Sequence, residues 1–293
     1  MKVKLIAYTP DPEKVVAAAA KLCYSNADSI DDLMDGLTPE NTSKFIRRLV
    51  VNHHFSPFEH ASFTFAIEGI SRVTMAQVTR HRHSSPSVQS QRYVSMSNFE
   101  AVIPDSIKDS FETRKVFMDA IEDQKKKYEW LRGALIYKYK GEGMDQSSAE
   151  KKANEDARYI LPNAAKTRMI ITMNAHSLMH FFNVRCCSRA QWEIRELAEE
   201  MFKLVYPIAP NLFSNAGPSC VSEGICPEGS MSCGKQEEMR NKYAGIKERF
   251  SKRNLCDLCK SCFGECDSKG VVFGTGIGND NVVECDTFSR PKQ

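Results

Sequence analysis

The stretch ASFTFAIEGISRVTMAQVTRHRHSSPSVQSQRY, residues 61–93, contains the pattern that decides the fold. Its first seven residues alternate between apolar and polar side chains, which predicts a β-strand. A short helix is predicted next, at about 71–79. This helix leads into Arg80-His81-Arg82, which is followed by hydroxyl and amide side chains. A strand, a helix and a donor-rich polar segment in this order predict a mixed fold in which the polar segment lies at a helix-to-loop junction.

Elements of both types flank this stretch. Strands are predicted at 3–9 and 167–173, and helices at 12–24, 39–50, 176–187, 190–205 and 235–253. Residues 105–156 are highly charged and predict long solvated helices, which a turn at 141–143 interrupts. Together these elements predict an α+β fold with a central antiparallel sheet.

The composition changes at Asn215-Ala216-Gly217-Pro218. Beyond this point the chain is rich in Gly and Cys and poor in apolar periodicity. We therefore predict two parts, a main domain at 1–219 and a small Cys-rich extension at 220–293.

Bulk composition is that of a globular protein with a sizeable core. The 293 residues are 42% hydrophobic and 26% charged, and the formal net charge is +3. This charge is too small to indicate nucleic-acid binding. The amino-terminal sequence lacks the apolar region of a signal peptide, and no apolar run reaches the roughly 18 residues of a membrane span. The predicted location is cytoplasmic.

The Arg/His stretch has the chemistry of an anion site. Arginine presents a planar fork of donors that matches two phosphate oxygens at once, and the following Ser and Gln side chains suit a sugar or a base edge. By itself the stretch is compatible with a nucleotide site or with an ordinary solvated face.

The wider pattern resembles a known family. Arg80-His81-Arg82, then seven residues, then Ser90 and Arg92-Tyr93 resembles the signature of the flavin-dependent thymidylate synthases. Other segments similar to that family, in its order, are SPFEH at 56–60, RYILP at 158–162, NAHSLM at 174–179, FNVR at 182–185 and AQWE at 190–193. The resemblance runs from the first strand to about residue 219.

This resemblance implies a reaction and an assembly. Family members methylate the uracil of dUMP to give dTMP, with FAD as cofactor, NADPH as reductant and 5,10-methylenetetrahydrofolate as one-carbon donor. They are homotetramers whose active sites are shared between subunits. The folate and dUMP are thus the expected partners, and neither a membrane nor a nucleic acid is expected.

The resemblance also implies site residues, position by position. The FAD-binding residues would be Ser56, Arg80, His81, Arg82, Asn174, Ala175, His176 and His180. The dUMP-binding residues would be Gln77, Arg80, Val88, Gln89, Ser90, Gln91, Arg92, Arg158 and Arg185. Arg185 would act at the pyrimidine ring, because a guanidinium that stabilises the anion at N3 increases electron density at C5. No protein nucleophile is then required.

Other roles for some of these residues remain open. Ser90 is a possible nucleophile, although no base is evident and a binding hydroxyl is favoured. Cys186 and Cys187 follow Arg185, and a nearby cation can make a thiol reactive by lowering its pKa. We favour the alternative in which both cysteines are small, buried apolar side chains. His176 and His180 have the spacing of a metal-binding pair but lack a carboxylate in register.

Two positions depart from the family pattern. Val88 stands where the family commonly has Glu or Gln, and Pro86 replaces a frequent aromatic residue. The loss of one polar contact with the nucleotide or flavin costs about 1–3 kcal/mol of binding free energy. We expect these two departures to alter the geometry of the loop more than the reaction.

The Cys-rich extension contains a metal-binding pattern. Cys256, Cys259, Cys262 and Cys266 have the spacing C-x2-C-x2-C-x3-C. This spacing is that of a bacterial ferredoxin run, and four close thiolates also suit zinc. The predictions are a zinc site, an iron–sulfur centre or no metal; Cys220, Cys226, Cys233 and Cys285 could complete or duplicate such a site. A metal or docking on the main domain is expected to stabilise this segment.

Two further functions compete with the enzyme. The first is a nucleic-acid-binding module that uses the Arg/His stretch and a zinc-binding tail, which the low net charge disfavours. The second is a catalytically inactive FAD-binding relative, which Val88 would explain.

Overall fold

The structure is a computed structural model that describes residues 1–251, Val271–Phe273 and Val282–Cys285, with Ser251 and the last two segments described by their backbone alone. The chain divides into two compact units. The first comprises Met1–Lys4 and Phe65–Thr172, and the second comprises Leu5–Thr64 and the chain from Met173 onward. The predicted boundary between residues 219 and 220 stays a prediction.

Four strands form the main sheet, in the order β1-β2-β4-β3. They are β1 Lys2–Tyr8, β2 Ser62–Ser71, β3 Ser85–Val88 and β4 Lys166–Asn174. β3 runs antiparallel to β4, with Val88 opposite Met169. A small antiparallel pair consists of β5 Val271–Phe273 and β6 Val282–Cys285.

Eleven helices lie in the described ranges. They are α1 Pro12–Leu22, α2 Ile30–Asp35, α3 Pro39–Val51, α4 Arg72–Val78, α5 Asp105–Lys108, α6 Phe111–Gly141, α7 Gln146–Ala157, α8 Ala175–Arg185, α9 Trp192–Val205, α10 Ser219–Ser222 and α11 Gln236–Ser251. Short 3-10 helices lie at Ser56–His60, Arg158–Ile160 and Gly229–Met231. The predicted α+β class is confirmed. Within the described residues, no helix is both long and apolar enough to cross a membrane.

Side-chain caps fix where several helices begin. Ser71 accepts a hydrogen bond from the Thr74 amide at the start of α4, and Asp145 accepts one from the Ser148 amide at the start of α7. Such caps satisfy amide groups that the helix itself leaves unpaired. The cap at Ser71 explains why the predicted start of α4 agrees with the structure to within one residue.

Strand β3 was not predicted, and its position in the sheet explains why. Pro86 lies opposite Ile171 and cannot donate a backbone hydrogen bond. Proline is tolerated in a strand at the edge of a sheet, and β3 is an edge strand. The four residues Ser85–Val88 adopt the extended form because they pair with β4.

The core of the first unit is built around Tyr128 of α6. Its ring is fully buried and packs with Met96, Phe99 and Ala157. Its hydroxyl accepts a hydrogen bond from the Met96 amide at 3.2 Å. The core therefore holds the loop after the Arg/His stretch against α6 and α7.

An aromatic cluster forms the core of the second unit. Phe182 of α8 lies edge-on to Phe202 and Phe213, with ring centroids 5.5 and 6.0 Å apart. Tyr243 of α11 is also fully buried, 5.3 Å from the Phe202 ring. The long helix α11 of the predicted extension therefore packs against α9. Docking of this kind was one of the two means expected to stabilise that segment.

Candidate active site

The Arg/His stretch lies where α4 ends. The His81 amide donates to the Val78 carbonyl at 3.0 Å, and the Ser84 hydroxyl donates to the His81 carbonyl at 2.6 Å. These bonds form a tight turn in which the side chains of Arg80 and Arg82 are exposed. Neither arginine forms an ion pair with a carboxylate in the described part of the chain. The turn thus presents two cations to solvent, as the sequence predicted for a helix-to-loop junction.

A second turn follows β3 and contains Ser90. The Gln89 amide donates to the Arg168 carbonyl at 3.0 Å, which fixes the turn to β4. The Ser90 hydroxyl accepts from the Arg92 amide at 3.2 Å. Because this hydroxyl is bonded to a backbone amide and not to a base, the geometry favours a binding role for Ser90 over a nucleophilic one.

The carboxyl-terminal end of α7 positions two arginines. Arg92 Nη2 lies 2.7 Å from Glu155 Oε2, and the Arg92 carbonyl accepts from Asn154 Nδ2 at 3.1 Å. Arg158 donates from Nε to the Glu155 carbonyl at 3.1 Å. The side chains of Arg92 and Arg158, which are 66 residues apart in sequence, are thereby both anchored on Glu155.

Arg72 adds a third guanidinium to this group. Burial lowers the pKa of Arg72, and the charge of Arg158 lowers it further. Its amide donates to the Ala165 carbonyl at 3.1 Å, in the loop that follows Arg158. The sequence analysis did not identify Arg72, because this residue lies outside the motif that begins at Arg80. Arg72 is on the first turn of α4, ten residues before Arg82. The three cations form an arginine cluster suited to an anion.

Three other predicted substrate-binding residues lie on the same elements. Gln77 is half-buried on α4, Val88 is the last residue of β3, and Gln91 is half-buried in the turn after β3. Val88 lies opposite Met169 in the sheet. A β-branched residue suits a strand position, which explains why valine is compatible with position 88. The Val88 side chain cannot make the polar contact that Glu or Gln would make there.

In the second unit, Asn174 and Ala175 form the start of α8. Asn174 Oδ1 accepts from the Ser177 amide at 2.8 Å, so that Asn174 caps the helix. The Ala175 amide donates to the Ala61 carbonyl at 2.7 Å. These bonds tie the amino-terminal end of α8 to the chain that follows the 3-10 helix Ser56–His60.

His176 is held between an acidic and an aromatic side chain. Its Nδ1 lies 3.3 Å from Glu59 Oε1, and its ring stacks on Phe55 with centroids 5.7 Å apart. Ser56 is exposed next to Phe55 on the same 3-10 helix, and His180 lies one turn further along α8. Glu59 lies in the family segment 56–60, but the sequence gave no indication of its role, because its partner His176 is 117 residues away.

The alternative of a metal at His176 and His180 gains no support. Glu59 supplies a carboxylate beside His176, which the sequence reasoning considered missing. Within the described ranges, however, no group of three His, Cys, Asp or Glu side chains is arranged to hold a metal ion. Cys256, Cys259, Cys262 and Cys266 lie outside the described residues.

Arg185 is the last residue of α8 and is half-buried. The next residue, Cys186, is fully buried, and burial raises the pKa of its thiol to about 12. Cys186 is therefore a small apolar side chain at physiological pH, as favoured from the sequence. It fixes the end of α8 in the aromatic core and so helps to position Arg185.

Together, the fold and the arginine cluster define an α+β protein with a candidate anion site in its first unit. The model of the family "Thymidylate synthase complementing protein" matches residues 4–211. A flavin-dependent thymidylate synthase of Clostridium tetani is 53% identical over 243 residues, which cover 83% of this chain and 97% of that protein. The enzyme of the same name from Geobacter sulfurreducens is 45% identical over 245 residues, covering 83% and 98%.

A solved structure shows the same fold. The flavin-dependent thymidylate synthase of Helicobacter pylori, complexed with FAD and dUMP, matches with a TM-score of 0.54 at 23% identity, and the match covers 74% of this chain and all of that one. The chain belongs to the family of flavin-dependent thymidylate synthases. The predicted family and the prediction of a FAD-dependent enzyme are thus confirmed, and a nucleic-acid-binding module is disfavoured.

Proposed function

We propose that this protein catalyses the reductive methylation of dUMP to dTMP, with FAD as cofactor, NADPH as reductant and 5,10-methylenetetrahydrofolate as one-carbon donor. Family membership supports the reaction, and the Helicobacter pylori relative is described as complexed with FAD and dUMP. Arg185 is proposed as the catalytic residue, and no protein side chain acts as nucleophile.

The arginine cluster of the first unit is the observation that carries this proposal. The phosphate of dUMP is a dianion, and Arg72, Arg92 and Arg158 supply positive charge. The Glu155 carboxylate anchors Arg92, and the Glu155 backbone carbonyl anchors Arg158. The Nε of Arg92 is buried and has no hydrogen-bond partner among the described residues. A buried donor of this kind fits a bound anion.

In each unit, the residues predicted to bind FAD have chemistry that suits a part of the cofactor. Arg80 and Arg82 present exposed guanidinium groups that fit a pyrophosphate, and His176 presents a ring held by Glu59. When bound, the flavin supplies the one-carbon and hydride transfer chemistry that no side chain can supply. The protein contributes binding, orientation and charge.

The role of Arg185 follows from its chemistry. A guanidinium stays protonated at physiological pH and donates several hydrogen bonds in one plane. Placed at the pyrimidine, it stabilises negative charge at N3 and thereby makes C5 more nucleophilic. The packing of Cys186 in the core would limit the movement of Arg185 at the end of α8.

We further propose a homotetramer with shared active sites and a cytoplasmic location. One face of α6 supports association between copies, because Trp130 and Tyr137 are 74% and 84% exposed on it with Gly133 and Ala134 between them. Small residues flanked by aromatic ones allow a second helix to approach closely. A zinc or iron–sulfur centre at the four clustered tail cysteines stays a prediction.

The first experiment measures dTMP formed from dUMP, methylenetetrahydrofolate and NADPH, with and without added FAD. The expected result is FAD-dependent product that falls by about 10²- to 10³-fold in Arg185→Ala. Arg114→Ala, an exposed arginine of α6, is the matched control and should keep full activity. Bound FAD without any product would favour the inactive relative, and the absence of both would contradict the proposal.

The second experiment tests the arginine cluster directly. Wild-type protein should bind dUMP far more tightly than deoxyuridine, which lacks the phosphate. In Arg158→Lys, which keeps the charge but loses the fork, dUMP affinity should fall by about 10-fold or more while deoxyuridine affinity stays the same. An equal loss for both ligands, measured by calorimetry, would mean that Arg158 does not contact the phosphate.

A further inference from the structure

The segment of residues 219–234 is hydrogen-bonded to the carboxyl-terminal end of α8 and to the turn that follows it. Ser219 donates from its hydroxyl to Asn183 Oδ1 at 2.7 Å, and Asn183 Nδ2 donates to the Ser222 hydroxyl at 2.8 Å. Arg189, just past α8, binds Glu228 at 2.8 Å and the Met231 carbonyl. This contact holds both ends of the segment against α8 and the turn that follows it.

Four cysteines lie on the two sides of this contact: Cys187, Cys220, Cys226 and Cys233. All four are free cysteines. Cys187 lies two residues beyond the end of α8, and Cys220 follows Ser219, whose hydroxyl is bonded to Asn183 of α8. Ser188, next to Cys187, has its hydroxyl 2.9 Å from Cys233 Sγ.

The electrostatics of Cys220 agree with this convergence. Burial raises the pKa of the Cys220 thiol, and the neighbouring thiols of Cys187, Cys226 and Cys233 contribute to the increase. Cys220 therefore lies within electrostatic range of the other three thiols. It is half-buried and mostly protonated, as a thiol that reacts second in an exchange commonly is.

Cys233 has the opposite environment. It is exposed, and the hydrogen bond with Ser188 is the main cause that lowers its pKa, followed by a backbone N–H group at Lys235. Exposed thiols with a lowered pKa and a second thiol nearby react readily with oxidants and disulfides. The exposed Cys233 thus has the environment of an attacking cysteine, and the half-buried Cys220 has that of a resolving cysteine.

Metal binding explains these thiols less well. Within the described residues no three potential ligands are arranged around a common centre. In addition, Cys233 Sγ is bonded to the Ser188 hydroxyl, which points this thiol toward the turn after α8. Thiol chemistry needs two sulfurs to meet in turn, whereas a metal needs at least three at once.

We propose that residues 219–234 carry a thiol–disulfide exchange site, in which Cys233 reacts with a small-molecule disulfide such as glutathione disulfide and Cys220 resolves the product. In the first step the Cys233 thiolate attacks one sulfur of the disulfide, forms a mixed disulfide and releases one glutathione thiolate. In the second step the Cys220 thiolate attacks Cys233 Sγ and releases the second glutathione thiolate. The two protein thiols are oxidised, the glutathione disulfide is reduced to two thiols, and the two protons from the protein pass to them.

The test uses the full-length reduced protein and glutathione disulfide at pH 7, with acid quenching, alkylation and peptide mass spectrometry. Trypsin leaves Cys220, Cys226 and Cys233 in one peptide, 204–235, and cleavage after Glu223 and Glu228 separates them. The expected sequence is glutathione on Cys233 first, then a linked pair of peptides containing Cys220 and Cys233. Cys23, an exposed cysteine of the α1 end, is the internal control and should react at least 10-fold more slowly.

Two variants separate the steps. Cys220→Ser should accumulate glutathione on Cys233 without an internal disulfide. Ser188→Ala should slow the reaction of Cys233 several-fold at pH 7 and leave it unchanged at pH 10, where the thiol is ionised in either protein. A rate at Cys233 no greater than at Cys23, or an internal disulfide of Cys233 that forms in Cys220→Ser as fast as in the wild type, would overturn the proposal. None of these measurements depends on thymidylate synthase activity.

Discussion

Lys247 of α11 is a lysine whose ammonium group is half-buried. It donates to the Ser214 carbonyl at 2.8 Å. Burial lowers the pKa of Lys247 from 10.5 to about 8. Burial is the only cause of this shift. Keeping Lys247 charged in the folded protein therefore lowers the free energy of unfolding.

The pH dependence of stability follows from this shift. Between pH 8 and 10.5 the unfolded chain binds a proton at Lys247 that the folded chain does not, so the free energy of unfolding should rise with pH. Below about pH 8 both states are protonated and the cost is fully present. Lys247→Met should therefore stabilise the protein at pH 7 by about 1 kcal/mol, a value discounted for the partial exposure of the side chain.

Denaturant unfolding of wild type and Lys247→Met at pH 7 and pH 10 measures this effect. The gain should shrink at the higher pH. Lys4→Met, which alters an exposed lysine of β1, serves as the control and should change stability little at either pH. A destabilised Lys247→Met at pH 7 would mean that the bond to Ser214 outweighs the cost of burial.

At the scale of the element, α8 is the helix on which most predicted cofactor and catalytic residues of the second unit lie. Its start depends on the cap at Asn174, and its end is fixed by Cys186 in the core. Because Asn174 is also a predicted FAD contact, a simple truncation would confuse loss of the cap with loss of the contact.

Two substitutions at Asn174 separate these effects. Asn174→Ala should lower the free energy of unfolding by about 1 kcal/mol, since alanine cannot cap the helix, whereas Asn174→Asp should keep the cap. Thermal unfolding measures the cap, and flavin fluorescence titration measures FAD binding. If Asn174→Asp is fully stable and yet binds FAD more weakly, Asn174 contacts the cofactor; equal FAD affinity in all three proteins would remove it from the site.

At the scale of the whole molecule, the exposed face of α6 is the feature that a single copy leaves unexplained. Trp130 and Tyr137 lie seven residues apart, about two helical turns, on a face that also carries Gly133 and Ala134. Aromatic side chains exposed to this extent commonly belong to interfaces between proteins. A second copy of this chain is the partner proposed above.

The double substitution Trp130→Ser and Tyr137→Ser should convert the tetramer to smaller species. Multi-angle light scattering after size-exclusion chromatography measures the mass. Phe111→Ser is a matched control, because Phe111 is 77% exposed at the amino-terminal end of the same helix, 19 residues before Trp130. A wild-type protein that is monomeric at micromolar concentration would contradict the tetramer, and an unchanged mass in the double variant would move the interface elsewhere.

Local patterns were sufficient to predict most elements. α8 and β4 were predicted to within about two residues, because β4 is a run of apolar and β-branched residues and Asn174 caps the start of α8. β3 and α2 were missed. β3 contains a proline and is extended only because β4 lies beside it, and α2 is a six-residue helix with a single buried side chain, Leu33.

By itself, the sequence determined the α+β class, the family and the identities of the predicted site residues, because motif spacing and periodicity are properties of neighbouring residues. Only the tertiary structure decided which side chain anchors Arg92, which carboxylate holds His176 and which hydroxyl bonds to the Cys233 thiol. Glu155 anchors Arg92 from 63 residues away, Glu59 holds His176 from 117 away, and Ser188 meets Cys233 from 45 away. Contacts of this kind arise when packed elements bring distant residues together, and no local pattern encodes them.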